Sequence, residues 1–152
     1  MIEIVNASLD DLPQLSEVLV GSFYANTMFA DIVPPDYKSY IAVSSKIIMD
    51  GMFIVAKEDG KIVGAIAGLM SPFIFNHNFN VAVEMLWFVM PEYRKTGIGD
   101  QLLNALETKA KENNCVMLTM CHFHNEQSKK LGKTFEDKGF ALSEFSYVKK
   151  LT

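Results

Sequence analysis

Between Val89 and Gly99 the chain reads Val89-Met90-Pro91-Glu92-Tyr93-Arg94-Lys95-Thr96-Gly97-Ile98-Gly99, and these residue types at this spacing suit a phosphate or pyrophosphate. A strand stopped by proline, a short turn and two glycines opening an amphipathic helix present backbone N–H groups at the positive end of a helix dipole. Glycine matters there because a Cβ would hold the phosphate off the backbone. Arg94 adds a full positive charge and Thr96 a hydroxyl. Two common nucleotide loops do not fit. A P-loop ends in Gly-Lys-Ser/Thr, whereas Asp100 follows Gly99; a dinucleotide fingerprint needs a third glycine, and Leu102 stands in its place.

A second group, Cys121-His122-Phe123-His124, invites a metal reading. One thiolate and two imidazoles fall short of a closed zinc site, and strand alternation sends both histidines to the face opposite Cys121. No metal is expected. These residues fit better at the acceptor end of a cleft or as the cap of a strand.

The elements that must position the loop follow from the hydrophobic pattern. Met1–Val5 alternates as a short strand; Ser8 and Asp11 mark a capped helix start, and Leu12, Leu15, Val18 and Leu19 give it one apolar face to about Gly21. Ser22–Pro35 breaks the pattern, and a second helix runs Asp36–Met49. Strands Met52–Lys57 and Ile62–Leu69 are joined by Glu58-Asp59-Gly60-Lys61, whose Asp-Gly is a hairpin signal. Ser71–Asn80 reads as an aromatic, Asn-rich connection and Val81–Met90 as a strand. A helix over Gly97–Asn113, a strand over Cys115–Cys121, a helix over Glu126–Lys138 and a strand over Phe140–Val148 complete the order β-α-α-β-β-β-α-β-α-β. That order predicts an α/β protein of the α+β type with a mixed sheet.

With 152 residues, 49% of them hydrophobic and 21% charged, the chain is expected to form one domain over 1–152. Lys and Arg number 14 against 18 Asp and Glu, a formal charge of −4, which argues against a nucleic-acid partner and mildly favours a cationic acceptor. Two cysteines are too few for a disulfide scaffold and read as reduced thiols of a cytoplasmic protein. Glu3, Asp10 and Asp11 interrupt the apolar stretch a signal peptide needs, and no apolar run reaches a bilayer-spanning length, so neither secretion nor a membrane is expected. A homodimer is the base-rate expectation for assembly.

Arg94-x-x-Gly97-x-Gly99 after Pro91-Glu92-Tyr93, together with Phe135-Glu136-Asp137-Lys138-Gly139-Phe140, resembles the GNAT superfamily of N-acetyltransferases over most of the chain. The resemblance implies the GNAT fold and transfer of an acetyl or other acyl group from acetyl-CoA to a primary amine. It implies that Trp87, Phe88 and Val89 carry the pantetheine site. The loop Arg94, Lys95, Thr96, Gly97, Ile98 and Gly99 would hold the pyrophosphate, and Ser128 stands where the family often has a cofactor-contacting asparagine. The backbone N–H of Val89 is the implied oxyanion donor.

A lysine-like amine, with a pKa of about 10.4, is protonated at neutral pH and needs a base before it can attack a thioester. Glu84 resembles the glutamate many family members use. Period-two alternation puts it on a face with Leu86 and Phe88 rather than on a polar one; a solvated strand-face charge is the alternative. The family's usual acid, a tyrosine heading the late signature, is replaced by Phe135, so Tyr147 or His122 would have to serve. A CoA thiol, with a pKa near the cysteine value of about 8.5, can also leave unaided. The departure at Phe135 keeps a second reading open: an acyl-CoA-binding or interaction module with weak or no catalysis. Phe23, Tyr24, Phe29, Phe73 and Phe75 cluster in connections, where they suit either an apolar acceptor wall or loop anchoring.

Overall fold

The computed structural model describes residues 1–123 and 128–151, the side chains of Ser128 and Lys129 being outside the description. The chain divides into two compact units, Met1–Thr119 and Met120–Thr152.

The first unit is a mixed five-stranded sheet in the order β1-β2-β3-β4-β5. Its strands are β1 (Ile2–Asn6), β2 (Phe53–Glu58), β3 (Lys61–Phe73), β4 (Asn76–Val89) and β5 (Cys115–Thr119). The first four pair antiparallel and β5 joins β4 in parallel, as the alternation of elements late in the chain predicts. Helices α1 (Leu12–Ser16), α2 (Tyr37–Met49) and α3 (Ile98–Glu112) pack on it. Helix α3 buries Ile98, Leu102, Leu103, Leu106 and Ala110, the stripe its 3.6-residue period sets out. Gly64 of β3 leaves room for the helix: a Cβ there would lie 3.1 Å from Leu102 Cδ1 and 3.2 Å from the Phe88 carbonyl.

Several boundaries differ from the sequence pattern. The first helix begins with a 3-10 turn at Leu9–Asp11 and widens into a π-helix over Glu17–Phe23, followed by a 3-10 turn at Tyr24–Asn26. The Tyr24 N–H donates to the carbonyl of Leu19, five residues back, so the helical path passes Gly21 instead of stopping there. The stretch Ser71–Asn80 is not a loop. It forms the tip of a long β3–β4 hairpin, paired out to Phe73 opposite Asn76, with a register irregularity between Pro72 and Phe73. Ladder pairing overrides the turn-like composition there.

The second unit holds α4 (Ser128–Asp137), with the predicted start at Glu126 outside the described residues. Gly139 follows at φ 88°, and its N–H donates to Glu136, an end that only glycine adopts without strain. The expected last strand, Phe140–Val148, is absent: residues 140–151 form no regular element. Apolar and aromatic composition suits a strand but does not supply a ladder, and the described residues of this unit contain no other strand to pair with.

The start of the first helix is tied to the sheet by charge. Asp11 accepts from the Ser8 N–H at 2.9 Å and meets Lys57 Nζ of β2 at 2.6 Å. Burial pushes the Asp11 carboxyl up, but the Lys57 and Ser8 hydrogen bonds outweigh it and hold the group below the usual aspartate range. A depressed folded-state pKa contributes stability above the unfolded value, near 4, that is lost as pH falls through the folded one. Asp11→Asn should therefore destabilise the protein by about 1 kcal/mol at pH 7 and by progressively less below pH 4 in urea melts. A penalty independent of pH would assign the effect to packing instead.

Candidate active site

β4 pairs with β5 from Asn80 opposite Cys115 to Val83 opposite Thr119, and no further. On its other side β4 stays paired with β3 as far as Val89 opposite Gly64. Glu84–Val89 thus runs on past the end of the β5 ladder. The Met90 N–H donates to the Val63 carbonyl at 2.9 Å, which makes Gly64–Val89 a pair without mutual hydrogen bonds. In such a pair the N–H and C=O of Val89 turn away from β3, toward the side where β5 has stopped; Trp87, two residues back, is in the same phase. The Val89 carbonyl accepts from Arg94 Nε at 3.0 Å, as that orientation requires.

Side chains in this segment divide by face. The Trp87 indole lies 3.4 Å from where a Cβ of Gly99 would stand, so Trp87 faces α3. Phe88 projects oppositely and meets the ring of Phe23, at the end of the π-helix, at 5.5 Å between centroids. The guanidinium of Arg94 lies over the same Phe88 ring at 5.9 Å. That side chain is folded back on β4, not extended over the helix end.

The loop itself is built from backbone geometry. Pro91–Tyr93 is a 3-10 turn; Lys95 and Gly97 take φ of 66° and 87°. Gly97 is the N-cap of α3 and offers no side-chain acceptor to the first-turn amides. Open space surrounds its missing Cβ, so conformation and not crowding demands glycine. Thr96 Oγ1 donates to the Tyr93 carbonyl at 2.6 Å, turning the hydroxyl inward as a loop brace. The Tyr93 phenol in turn donates to Glu58 Oε2 at 2.5 Å. The sequence pattern includes Tyr93 and Glu58 in separate motifs but does not connect them, since nothing in spacing links residues 35 apart.

Glu84 is 8% exposed, so it is not a solvated surface charge. It does not, however, follow Leu86 and Phe88 in strict alternation. Leu86 stands opposite Ala67 and Glu84 opposite Gly68, leaving Met85 as an extra residue. This β-bulge breaks the period of two between Glu84 and Leu86, and bulges of this kind re-aim side chains beside functional sites.

In the second unit, Phe135 is 7% exposed and its ring meets His122 at 6.0 Å and Phe140 at 5.6 Å. His122 is exposed, with Nδ1 3.2 Å from the Phe123 carbonyl oxygen. Tyr147 is 93% exposed and on no regular element. The side chain of Ser128 and all of His124 lie outside the described residues. Among the described residues, no group of three or more His, Cys, Asp or Glu converges as a metal site would require. No helix there is long and apolar enough to cross a membrane.

The aromatic residues of the connections fall into two places. Tyr24 donates to the Val33 carbonyl at 2.7 Å and to that of Phe29 at 3.3 Å, stapling the segment before α2. Phe73 and Phe75 belong to the hairpin tip, their rings edge to face at 5.7 Å. Phe73 also lines an apolar depression of about 430 Å³ with Phe79, Val81, Val116 and Met117.

The model of the Acetyltransferase (GNAT) family matches residues 16–135, and the chain belongs to that family, whose members use acetyl-CoA. Solved structures share the fold. A ribosomal-protein-alanine N-acetyltransferase from Brucella melitensis biovar Abortus 2308 matches at 19% identity and TM-score 0.72, covering 100% of both chains. A transcriptional regulator from Bacillus halodurans C-125 matches at 22% and 0.77, covering 98% of this chain and 99% of its own. An aminoglycoside N-acetyltransferase in complex with CoA matches at 15% and 0.72, covering 100% and 96%. No curated protein matches the chain significantly.

Gly97→Ala tests the loop geometry. A Cβ at φ 87° should cost about 1–2 kcal/mol of stability in chemical denaturation, and Gly97→Asn clearly less, because asparagine tolerates the left-handed region. Equal penalties would show that φ is not what selects glycine there.

Proposed function

We propose that the chain transfers an acetyl group from acetyl-CoA to a primary amine of a small-molecule or peptide acceptor, and that residues 1–152 work as one catalytic domain. The observation that carries this reading is the stretch Glu84–Val89, which leaves β5 while its Val89 N–H faces the vacated side, next to an α3 N-terminus without a side-chain cap. The first-turn amides of α3 and the loop Arg94–Gly99 suit the pyrophosphate; Arg94 contributes charge near Val89, while Lys95 and Gly97 contribute the turn. Trp87, Phe88 and Val89 suit the pantetheine arm, with Ser128 a further contact. The Val89 N–H suits the oxygen on which charge develops as the thioester carbonyl becomes tetrahedral.

Glu84 serves as the base, taking the proton from the ammonium of the acceptor so that the neutral amine can attack. The carbon–sulfur bond then breaks, and the thiol leaves either as thiolate or with a proton from Tyr147 or His122. No metal is needed at any step. The two free cysteines support a reducing, cytoplasmic setting.

One observation favours a second reading. Phe135, packed against His122 and Phe140, brings no hydroxyl to the position where the family's acid stands, which suits a module that binds acyl-CoA without turning it over.

Release of free thiol from acetyl-CoA across a panel of amines separates the two. Transfer predicts turnover with at least one amine, and Glu84→Gln should lower it about 10²–10⁴-fold at neutral pH with cofactor affinity nearly unchanged. The deficit should shrink as pH approaches the amine's own pKa, about 10.4 for a lysine-like group, where no base is needed. Activity within a few-fold of wild type with an unchanged pH profile would remove Glu84 from the mechanism. Cofactor binding without turnover on any amine would select the module.

A further inference from the structure

We infer that Glu58, at the end of β2, is a positioning residue for the coenzyme loop and holds it through Tyr93; the inference rests on the acyl-CoA reading above. Tyr93 is the node of the loop. Its N–H donates to the Met90 carbonyl at 2.9 Å, its own carbonyl takes the Thr96 hydroxyl at 2.6 Å, and its phenol reaches the Glu58 carboxylate at 2.5 Å. Of these ties only the last leaves the loop. The other two join the segment to itself and would travel with it if it moved.

The far end of the tie is fixed. Glu58 pairs with Ile2 of β1 and Lys61 of β3, and its neighbour Lys57 is anchored to Asp11 at 2.6 Å. Gln14 of α1 accepts from the Ile62 N–H on the same hairpin. The loop, by contrast, carries a non-glycine residue, Lys95, at φ 66° and reaches α3 through Gly97 at φ 87°. A left-handed lysine costs on the order of 1 kcal/mol and persists only where the surroundings over-determine it. The Glu58–Tyr93 hydrogen bond ties this turn to β2, a strand it does not itself continue, and supplies such a restraint alongside the Arg94 Nε bond to the Val89 carbonyl of β4. Its effect on binding is preorganisation: amides already aimed at the pyrophosphate need not be ordered when it arrives.

The sign of the effect distinguishes this role from plain electrostatics. Glu58 lies near Asp59 and Glu92, and all three carboxylates act on the Tyr93 phenol, raising its pKa, with the Glu58 hydrogen bond the largest cause. Removing a negative charge from the neighbourhood of a pyrophosphate site should, by Coulomb's law alone, tighten anion binding. Positioning predicts the reverse.

Calorimetric titration of the full chain with CoA reads the difference. Glu58→Ala and Tyr93→Phe should each weaken CoA by about 10- to 100-fold, the range for losing a hydrogen bond to a charged group, and the double variant should be no weaker than either alone. Glu58→Gln, which keeps an acceptor oxygen without the charge, should stay within about twofold of wild type. Asp59→Ala, which removes a neighbouring charge but no bond to Tyr93, should leave affinity unchanged or tighter. Should Glu58→Ala fail to fold, Tyr93→Phe carries the test, since it deletes a single oxygen. A merely structural bond would lower the melting temperature and leave the affinity of the folded protein where it was. CoA binding by the wild type with equal or tighter binding by Tyr93→Phe and Glu58→Ala overturns the inference; absence of binding by the wild type overturns the acyl-CoA reading beneath it.

Discussion

The site depends on where one ladder stops. β4 stays paired with β3 from the hairpin tip to Val89, but its pairing with β5 ends at Val83 opposite Thr119. A sheet interior normally satisfies both edges of every strand, because an unpaired backbone group away from water costs about as much as a lost hydrogen bond. Where β4 outruns its neighbour, the Val89 N–H turns to the side that β5 has left, and the pairing with β3 on the opposite edge holds it there. The bulge at Met85 falls within this run, between Glu84 and Leu86. It increases the local twist and changes which face each side chain takes, and the buried carboxylate of Glu84 sits at its beginning.

The rest of the first unit holds that strand and its loop in place. Helix α3 packs its apolar stripe across the sheet, with Gly64 admitting Leu102 to within van der Waals contact of the β3 backbone. The same packing brings the N-terminus of α3 beside Trp87, so the amide-rich helix end and the open strand edge are adjacent. On the other face the π-helix delivers Phe23 to Phe88, which in turn carries the Arg94 guanidinium. Arg94 thus does two things that a loop arginine read from sequence does not reveal: it satisfies the Val89 carbonyl and covers an aromatic ring.

Much of this was legible in the residues. Pro91, Gly97 and Gly99 announce a strand, a turn and a helix start with their own conformational limits, and the apolar period of Leu102, Leu103 and Leu106 gives the face of α3. The mixed sheet followed from the order of elements. What was not legible depends on pairing between distant segments. The hairpin tip around Pro72 and Asn76 has loop-like composition, yet ladder bonds extend through it. Phe140–Val148 is rich in apolar and aromatic residues, yet forms no strand, since composition does not provide a partner. The Met85 bulge shifts the face of Glu84 without any signature in its own residues, and the bond from Tyr93 to Glu58 links positions that no local pattern connects.

The central claim is that the open edge of β4 and the N-terminal amides of α3 form one binding surface. Amide-resolved NMR of the labelled protein during titration with CoA tests it most directly. The account predicts that the largest shifts fall on Trp87, Val89, Ile98, Gly99 and Gln101, moving together along one saturation curve. Shifts concentrated on the hairpin tip around Ile74–Phe79, or helix-end amides that titrate while Val89 stays still, would contradict it.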